Sequence, residues 1–249
     1  MRHGNYRSDV APGEPRTLEL ARCGSTQDEL RELVRSGAAE WSWVQAGLQT
    51  DGRGRRGRRW IAPEGSALMI SILLRSRRPV AELPGLSLLG GLAVCAAAER
   101  FGAHARLRWP NDVVCGDRKL AGVLPELADD GAVLLGCGIN ASMTEQQLPP
   151  TDRLPATSLL VETGRAPDLA VLRDAVLDGL RTRLAVFEQA GLAGLADELA
   201  ARDALRGHAI TLRLADGSCE TGTACGIAAD GALLVDGRPH HAGEVERVT

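Results

Sequence analysis

The stretch "RLRWPNDVVCGDRKLAGVLPEL", residues 106–127, limits the kinds of fold open to this chain. Apolar runs flank the segment Cys115-Gly116-Asp117-Arg118, a spacing that predicts two strands joined by a tight turn with Gly116 and Asp117 at its tip. So short a turn can only join antiparallel neighbours, because a parallel pair needs a long crossover. Pro110 punctuates the strand before it. Hairpin-linked strands lack the strand–helix alternation of a doubly wound nucleotide-binding fold.

Working outward, "ALMISILLR" at 67–75 is mostly apolar and reads as a strand buried on both faces. Residues 86–100 are rich in Leu and Ala and are closed by Gly102, which predicts a buried helix. Gly90 and Gly91 allow it to pack closely. "GAVLLGCGIN" at 131–140 predicts another strand. Residues 168–189 show helical spacing through Leu172, Val176, Leu180, Leu184 and Phe187, and a second helix runs to about Arg202. Upstream, Thr26 with Glu29 three residues on predicts a capping box, and Gly37 stops that helix. A strand follows from Trp41. The order of elements predicts an α+β fold with helices packed on a mixed or antiparallel sheet. From Leu205 the texture changes to short strands, with Asp216-Gly217 and Asp230-Gly231 as hairpin turns, so a small all-β unit of about five strands is expected. The expected organisation is a disordered lead-in at 1–15, a main domain at 16–203 and a small barrel at 204–249.

Among 249 residues, 44 % are hydrophobic and 24 % charged, with a net charge of −3. The whole molecule is therefore no basic nucleic-acid binder. No apolar run is expected to cross a bilayer, and the N-terminus has no secretory signal. The six cysteines form no C-x-x-C pair and are expected to be reduced, mostly buried and cytosolic. Lysine and arginine total 29, yet Lys119 is the single lysine. Codon bias toward arginine explains the missing lysines but not the survivor.

The segment "GRGRRGRRW" at 52–60 packs five arginines and three glycines before its tryptophan. It lacks the helix that follows a dinucleotide fingerprint and the Gly-Lys-Ser/Thr of a phosphate loop. A solvated basic loop and a nucleic-acid patch remain as readings. A flexible loop that grips phosphate fits best, because glycines let the backbone fold around a ligand and guanidinium groups offer paired donors. Such like charge predicts a loop disordered without ligand. Lys119, just after the hairpin turn and with Gly122 clearing space nearby, is a point charge suited to bridging two anions. In "WPND", Asn111 could bond phosphate or ribose, and Asp112 could hold an arginine or Mg2+, or the motif could be only a turn. The glycine Gly138 before Asn140 could likewise be only a turn, or could let a ligand lie on the strand end. Ser25 and Thr26 read as caps first and a polar pocket wall second. No Ser-His-Asp or Cys-His arrangement stands out, so the chemistry points to charge neutralisation and positioning.

Taken together and in order, "GSTQDEL", "GRGRRGRRW", "RWPNDVV", "RKLAGVLPEL" and "GCGINAS" resemble the biotin–protein ligases (biotin–[acetyl-CoA-carboxylase] ligases) over nearly the whole chain. The resemblance implies a core related to class II aminoacyl-tRNA synthetases, with a C-terminal SH3-like barrel. It implies that biotin and ATP, with Mg2+, form biotinyl-5′-adenylate and pyrophosphate. A lysine of a biotin carboxyl carrier protein then takes the biotin. By position, Ser25, Thr26, Gln27 and Gln49 match the biotin-head contacts. Gly52, Arg53, Gly54 and Arg55 match the loop around biotin and the adenylate. Arg56 and Trp60 match its second half, with Trp60 near adenine. Lys119 matches the lysine at the biotin carboxylate and phosphate, with Arg55 beside it as a catalytic group. Gly122 and Gly138 match the pocket floor, and Asn111 and Asn140 match nucleotide-side contacts. Asp112 is carried as a metal ligand.

The chain also departs from the family pattern. Gln27 stands where the family usually has Asn. Pro125 interrupts a strand, which predicts an edge or bulge there. No helix-turn-helix precedes Arg22, so a cytoplasmic ligase without DNA binding or membrane attachment is expected. The nearest alternative is a lipoate or octanoate ligase or transferase of the same core, and a non-enzymatic biotin- or nucleotide-sensing module is a third.

Overall fold

The computed structural model describes residues 13–150 and 154–248. Most of the expected lead-in, residues 1–12, lies outside the described residues. Among the described residues the first element is β1 (Thr17–Cys23), which the sequence reading did not anticipate although "TLEL" alternates with period two. Helix α1 (Thr26–Arg35) crosses over, and β2 (Trp43–Gln49) lies parallel to β1. Strand β3 (Ala67–Leu74) is followed by helix α2 (Leu86–Arg100). Then come β4 (Ala105–Arg108), β5 (Asp112–Cys115), β6 (Arg118–Leu127) and β7 (Val133–Asn140). Helices α3 (Leu159–Thr163), α4 (Leu169–Ala190) and α5 (Ala196–Arg202) lead into β8 (Ala209–Arg213), β9 (Cys219–Ile227), β10 (Leu233–Val235), β11 (Arg238–His240) and β12 (Glu244–Val248).

Among the described residues the strands form two sheets, β1-β2-β3-β7-β6-β5-β4 and β11-β10-β9-β8-β12. The first is antiparallel except at the β1–β2 edge. Its central strand is β7, and β3 beside it is buried along all eight residues. Leu68, Ile70, Ile72 and Leu74 share one cluster with α2 and α4. Leu73, on the other face, meets Leu30 and Leu33 of α1 and Leu134 of β7. Each such aliphatic side chain contributes about 1.5–3 kcal/mol by leaving water. Helix α2 lies directly on the sheet because two of its residues have no side chain. A Cβ at Gly91 would fall 2.3 Å from Leu107 Cδ1, and one at Gly90 would fall 2.8 Å from Val123 Cγ1.

Two expectations need amendment here. The helical segment Val80–Arg100 is long and apolar enough to cross a membrane by length and composition, contrary to the sequence reading, but most of it is buried as a core helix. The predicted capping box at α1 is also absent. The N-cap is Ser25, without a side-chain cap, and the Thr26 hydroxyl turns inward. The Pro125 expectation agrees with the pairing. Strand β5 covers β6 only as far as Gly122, so Pro125 sits where β6 pairs with β7 alone.

The smaller sheet turns at Asp216-Gly217 and Asp230-Gly231 as read from sequence, and also at Asp236-Gly237, where both residues have positive φ (47° and 78°). Its apolar residues Ile210, Leu212, Leu233, Val235 and Val245 belong to the same core cluster as α2 and α4.

Candidate active site

The inner wall of the site is the β1–α1 junction. The Thr26 backbone N–H and hydroxyl both donate to Gln49 Oε1, at 2.7 and 3.0 Å. The same hydroxyl lies 2.8 Å from Ser71 Oγ on β3. Next to it, Gln27 Nε2 donates to the Leu124 carbonyl at 2.9 Å. Together with Gly136 and Gly138 these groups surround a cavity of about 130 Å³. Polar side chains held by one another on one wall and bare backbone on the floor suit a small, flat, polar ligand.

The floor follows from strand register. Asp112, Gly122 and Gly138 stand in one row across β5, β6 and β7. The two glycines contribute no side chain, so the Trp60 ring lies against Gly138, where a Cβ would be 2.6 Å from the indole. Lys119 Nζ pairs with Asp112 Oδ1 at 2.6 Å and sits 6.0 Å from the Trp60 ring centroid. The backbone of Lys119 is fixed on its far side: its N–H donates to Pro155 O at 2.7 Å, and its carbonyl accepts from Thr157 N at 2.8 Å. Asn140 Nδ2 donates to Thr157 O at 2.8 Å. This amide was expected on the nucleotide side; its nitrogen is directed to the segment that holds Lys119.

The arginine loop folds over these walls, and its charges are met by the chain itself. Arg53 forms two 2.8 Å bonds to the Asp28 carboxylate and a third, longer contact to Glu126. Arg56 and Arg58 both pair with Glu244 of β12, the first at 3.0 Å. Arg59 donates to Thr50 O at 2.6 Å, and Arg55 to Asn111 Oδ1 at 3.2 Å. Sequence reasoning missed Asp28, Glu126 and Glu244, which counter the arginines, because only tertiary structure brings them to the loop. Each of the five guanidinium groups thus has a partner within the chain, whereas charge repulsion alone predicts disorder without ligand. The Arg53 hydrogen bonds hold the Asp28 carboxyl below its usual range. Burial lowers the pKa of the Arg55 guanidinium, and Arg56 adds to this, while Asp112 acts in the opposite direction.

Of the residues predicted from sequence, all but Gly52, Arg56 and Asn140 border the inner cavity. Asn140 borders an adjoining cavity of about 370 Å³, which lies between the loop, Trp109 and Glu244. Gly52 and Arg56 face a third hollow on the outer side of the loop. A Cβ at Gly52 would fall 2.5 Å from Trp60 O, so that glycine shapes the loop's base. Lys119, Arg55, Asn111 and Asp112 border both the inner and the adjoining cavity. Among the described residues no three His, Cys, Asp or Glu side chains cluster as a metal site. All six cysteines are free thiols, four of them buried.

Comparison with known proteins places this geometry in context. Residues 20–140 match the Biotin/lipoate A/B protein ligase family. The chain is 35 % identical over 214 residues to the bifunctional ligase/repressor BirA of Escherichia coli, of which it spans 64 %. It is 34 % identical over 223 residues to the biotin--[acetyl-CoA-carboxylase] ligase of Mycobacterium tuberculosis, covering 87 % of this chain and 82 % of that one. The solved biotin protein ligase of Aquifex aeolicus in complex with biotin and ATP superposes with a TM-score of 0.81 at 28 % identity, covering 94 % of this chain and 99 % of the other. Sequence likeness over most of a relative's length and shared architecture agree: the chain belongs to the biotin–protein ligase family.

Proposed function

We propose that this chain is an ATP-dependent biotin–protein ligase, in which residues 16–203 carry the chemistry and residues 204–249 form a small barrel bordering the nucleotide. The observation that carries the reading is the position of Lys119 and Arg55, which with Arg58 and Arg59 make four cations shared by a small polar cavity and a larger neighbour. Biotin fits the first and ATP the second. The biotin carboxylate then meets the α-phosphate at the boundary, where its oxygen attacks phosphorus and pyrophosphate leaves. An acceptor lysine on a biotin carboxyl carrier protein attacks the acyl carbon of the adenylate, and AMP leaves.

Each residue has a physical task in this scheme. Two anions must come into contact, and fixed positive charge offsets their repulsion most strongly where water is excluded. Asp112 holds the Lys119 ammonium at one point of the boundary. The folded loop keeps water from the adenylate and must open for exchange of ligands. Asp112 offers one carboxylate at this boundary, which suits Mg2+ arriving on the nucleotide's phosphates. Such an ion would neutralise part of the phosphate charge.

The test is mass spectrometry of a biotin carrier domain after incubation with the protein, biotin and MgATP. A biotin-dependent mass increase on one lysine supports the reading, and none overturns it. Biotin-dependent exchange of pyrophosphate into ATP separates a ligase from a binding module that only senses biotin. If lipoate but not biotin supports that exchange, the lipoate ligase assignment holds instead.

A further inference from the structure

Lys119 faces the boundary between the two cavities because β6 carries a bulge. Opposite β5, Val113 pairs with Ala121 and Val114 with Lys119, so Leu120 is an extra residue in the strand. Strict alternation would put Lys119 on the face of Ala121 and Val123, which belong to the core cluster under the helices. The bulge turns it instead to the face of Gly122, where a Cβ would lie 3.4 Å from Lys119 Nζ. Strand β7 pairs with β6 only from Ala121 onward, so the Lys119 backbone needs partners from elsewhere. Residues 155–157 supply them. They run parallel to β6 as a strap, with Ala156 opposite Lys119, through the two hydrogen bonds of 2.7 and 2.8 Å.

The strap is itself tied down at Thr157, which is fully buried. Its carbonyl accepts from Asn140 Nδ2 at 2.8 Å, and its hydroxyl donates to Glu162 Oε1 at 2.5 Å. Glu162 lies in the first turn of α3, whose N-cap Ser158 is anchored by a 2.6 Å bond to Met143 O. Neither Thr157 nor Glu162 borders the inner or the adjoining cavity. We propose that Thr157 and Glu162 are positioning residues for Lys119. Their hydroxyl–carboxylate bond fixes the strap, the strap fixes the bulge, and the bulge aims the ammonium at the boundary where carboxylate and phosphate meet. This inference deepens the ligase reading and rests on it. Reacting groups tolerate little displacement, since a shift of about 1 Å costs on the order of 10²-fold in rate.

The test is single-turnover formation of biotinyl-5′-adenylate by wild type, Thr157→Val and Thr157→Ser, with Thr157→Val also made in the Lys119→Ala background. Thr157→Val keeps the volume and removes the donor. It is expected to lower the rate about 10- to 100-fold at saturating biotin and MgATP, with each half-saturating concentration changed less than about threefold. Thr157→Ser keeps the hydroxyl and should restore most of the rate. In the Lys119→Ala background, Thr157→Val should cost less than about twofold, because the group it positions is gone. An undiminished cost in that background gives Thr157 a role independent of Lys119 and overturns the inference, as does a wild-type rate in Thr157→Val. If Thr157→Val does not fold, Glu162→Ala at an exposed position takes its place. It should lower the rate about 3- to 10-fold with Lys119 present and hardly at all without it, and the same two outcomes overturn the inference. Wild type that forms no adenylate removes the ligase reading itself. Wild type that forms it while these substitutions leave the rate unchanged removes only the role of the strap.

Discussion

Substituting Glu244 by glutamine tests whether the chain's own carboxylates hold the arginine loop shut. Glu244 receives Arg56 and Arg58, with side-chain exposures of 37 % and 46 % on the arginines and 15 % on the glutamate. Partly exposed pairs of this kind contribute about 0.5–1 kcal/mol each, so the two together hold the loop by about 1–2 kcal/mol. Glutamine can still accept one neutral hydrogen bond, which places the loss near the lower end. A change of that size raises the open population roughly 5- to 30-fold. Trypsin reads this directly, because it cleaves after arginine and needs an open segment. When opening is fast relative to cleavage, the initial rate follows the open population. The unliganded Glu244→Gln protein should therefore be cut within residues 53–59 at least about fivefold faster than wild type at equal trypsin, with fragments assigned by mass spectrometry. Added salt should raise the wild-type rate and narrow the gap, since screening weakens exposed pairs. Equal cleavage rates at low salt would refute the idea that Glu244 secures the loop.

Lys119→Ala should lower adenylate formation by at least about 10²-fold while leaving the melting temperature within a degree or two of wild type, because the side chain is partly exposed beside a hairpin; near-normal pyrophosphate exchange contradicts its role. Asp203 is fully buried, and burial raises its carboxyl pKa above the ordinary range, despite the opposing Leu205 N–H and Arg106. A raised folded pKa means that the native state is penalised above that value and relieved as pH falls toward the ordinary carboxylate range. Urea titrations from pH 8 to pH 4 should thus show wild type gaining on Asp203→Asn as pH falls, and a pH-independent difference argues against it. Burial pushes the thiols of Cys23, Cys95, Cys115 and Cys137 up to about 12, whereas Cys219 and Cys225 are exposed. Iodoacetamide should label Cys219 and Cys225 in the native protein and all six cysteines in urea; native labelling at Cys137 contradicts the buried assignment.

Elements with strong local signals could be read from the sequence. The Cys115–Arg118 turn, the glycine-marked helix α2 and the apolar strand β3 stand where patterning placed them. Strand β1 alternates just as clearly, but its partner is β2, across a helix, and a parallel pairing leaves no local trace. Gly138 was legible only as a turn or as a place where a ligand could lie on the strand end, and the structure sets the Trp60 ring there. The role of Thr26 was not legible, since a hydroxyl that could cap its own helix turns instead to Ser71, 45 residues away in sequence. Glu244, nearly two hundred residues from Arg56, shows the same limit: a charge run can be recognised locally, while the carboxylate that neutralises it cannot.

Ile210, Leu212, Leu233, Val235 and Val245 pack in one apolar cluster with helices α2 and α4. Trp109 Nε1 also donates to the Gly231 carbonyl at 3.0 Å. The small sheet is in this sense a lid on the core rather than an accessory hung from it. A scanning calorimeter should register both sheets melting in one endotherm, and trimming the chain at Asp203 would leave Leu88 and Leu192, which lie against Gly231, wet and the remnant prone to clump.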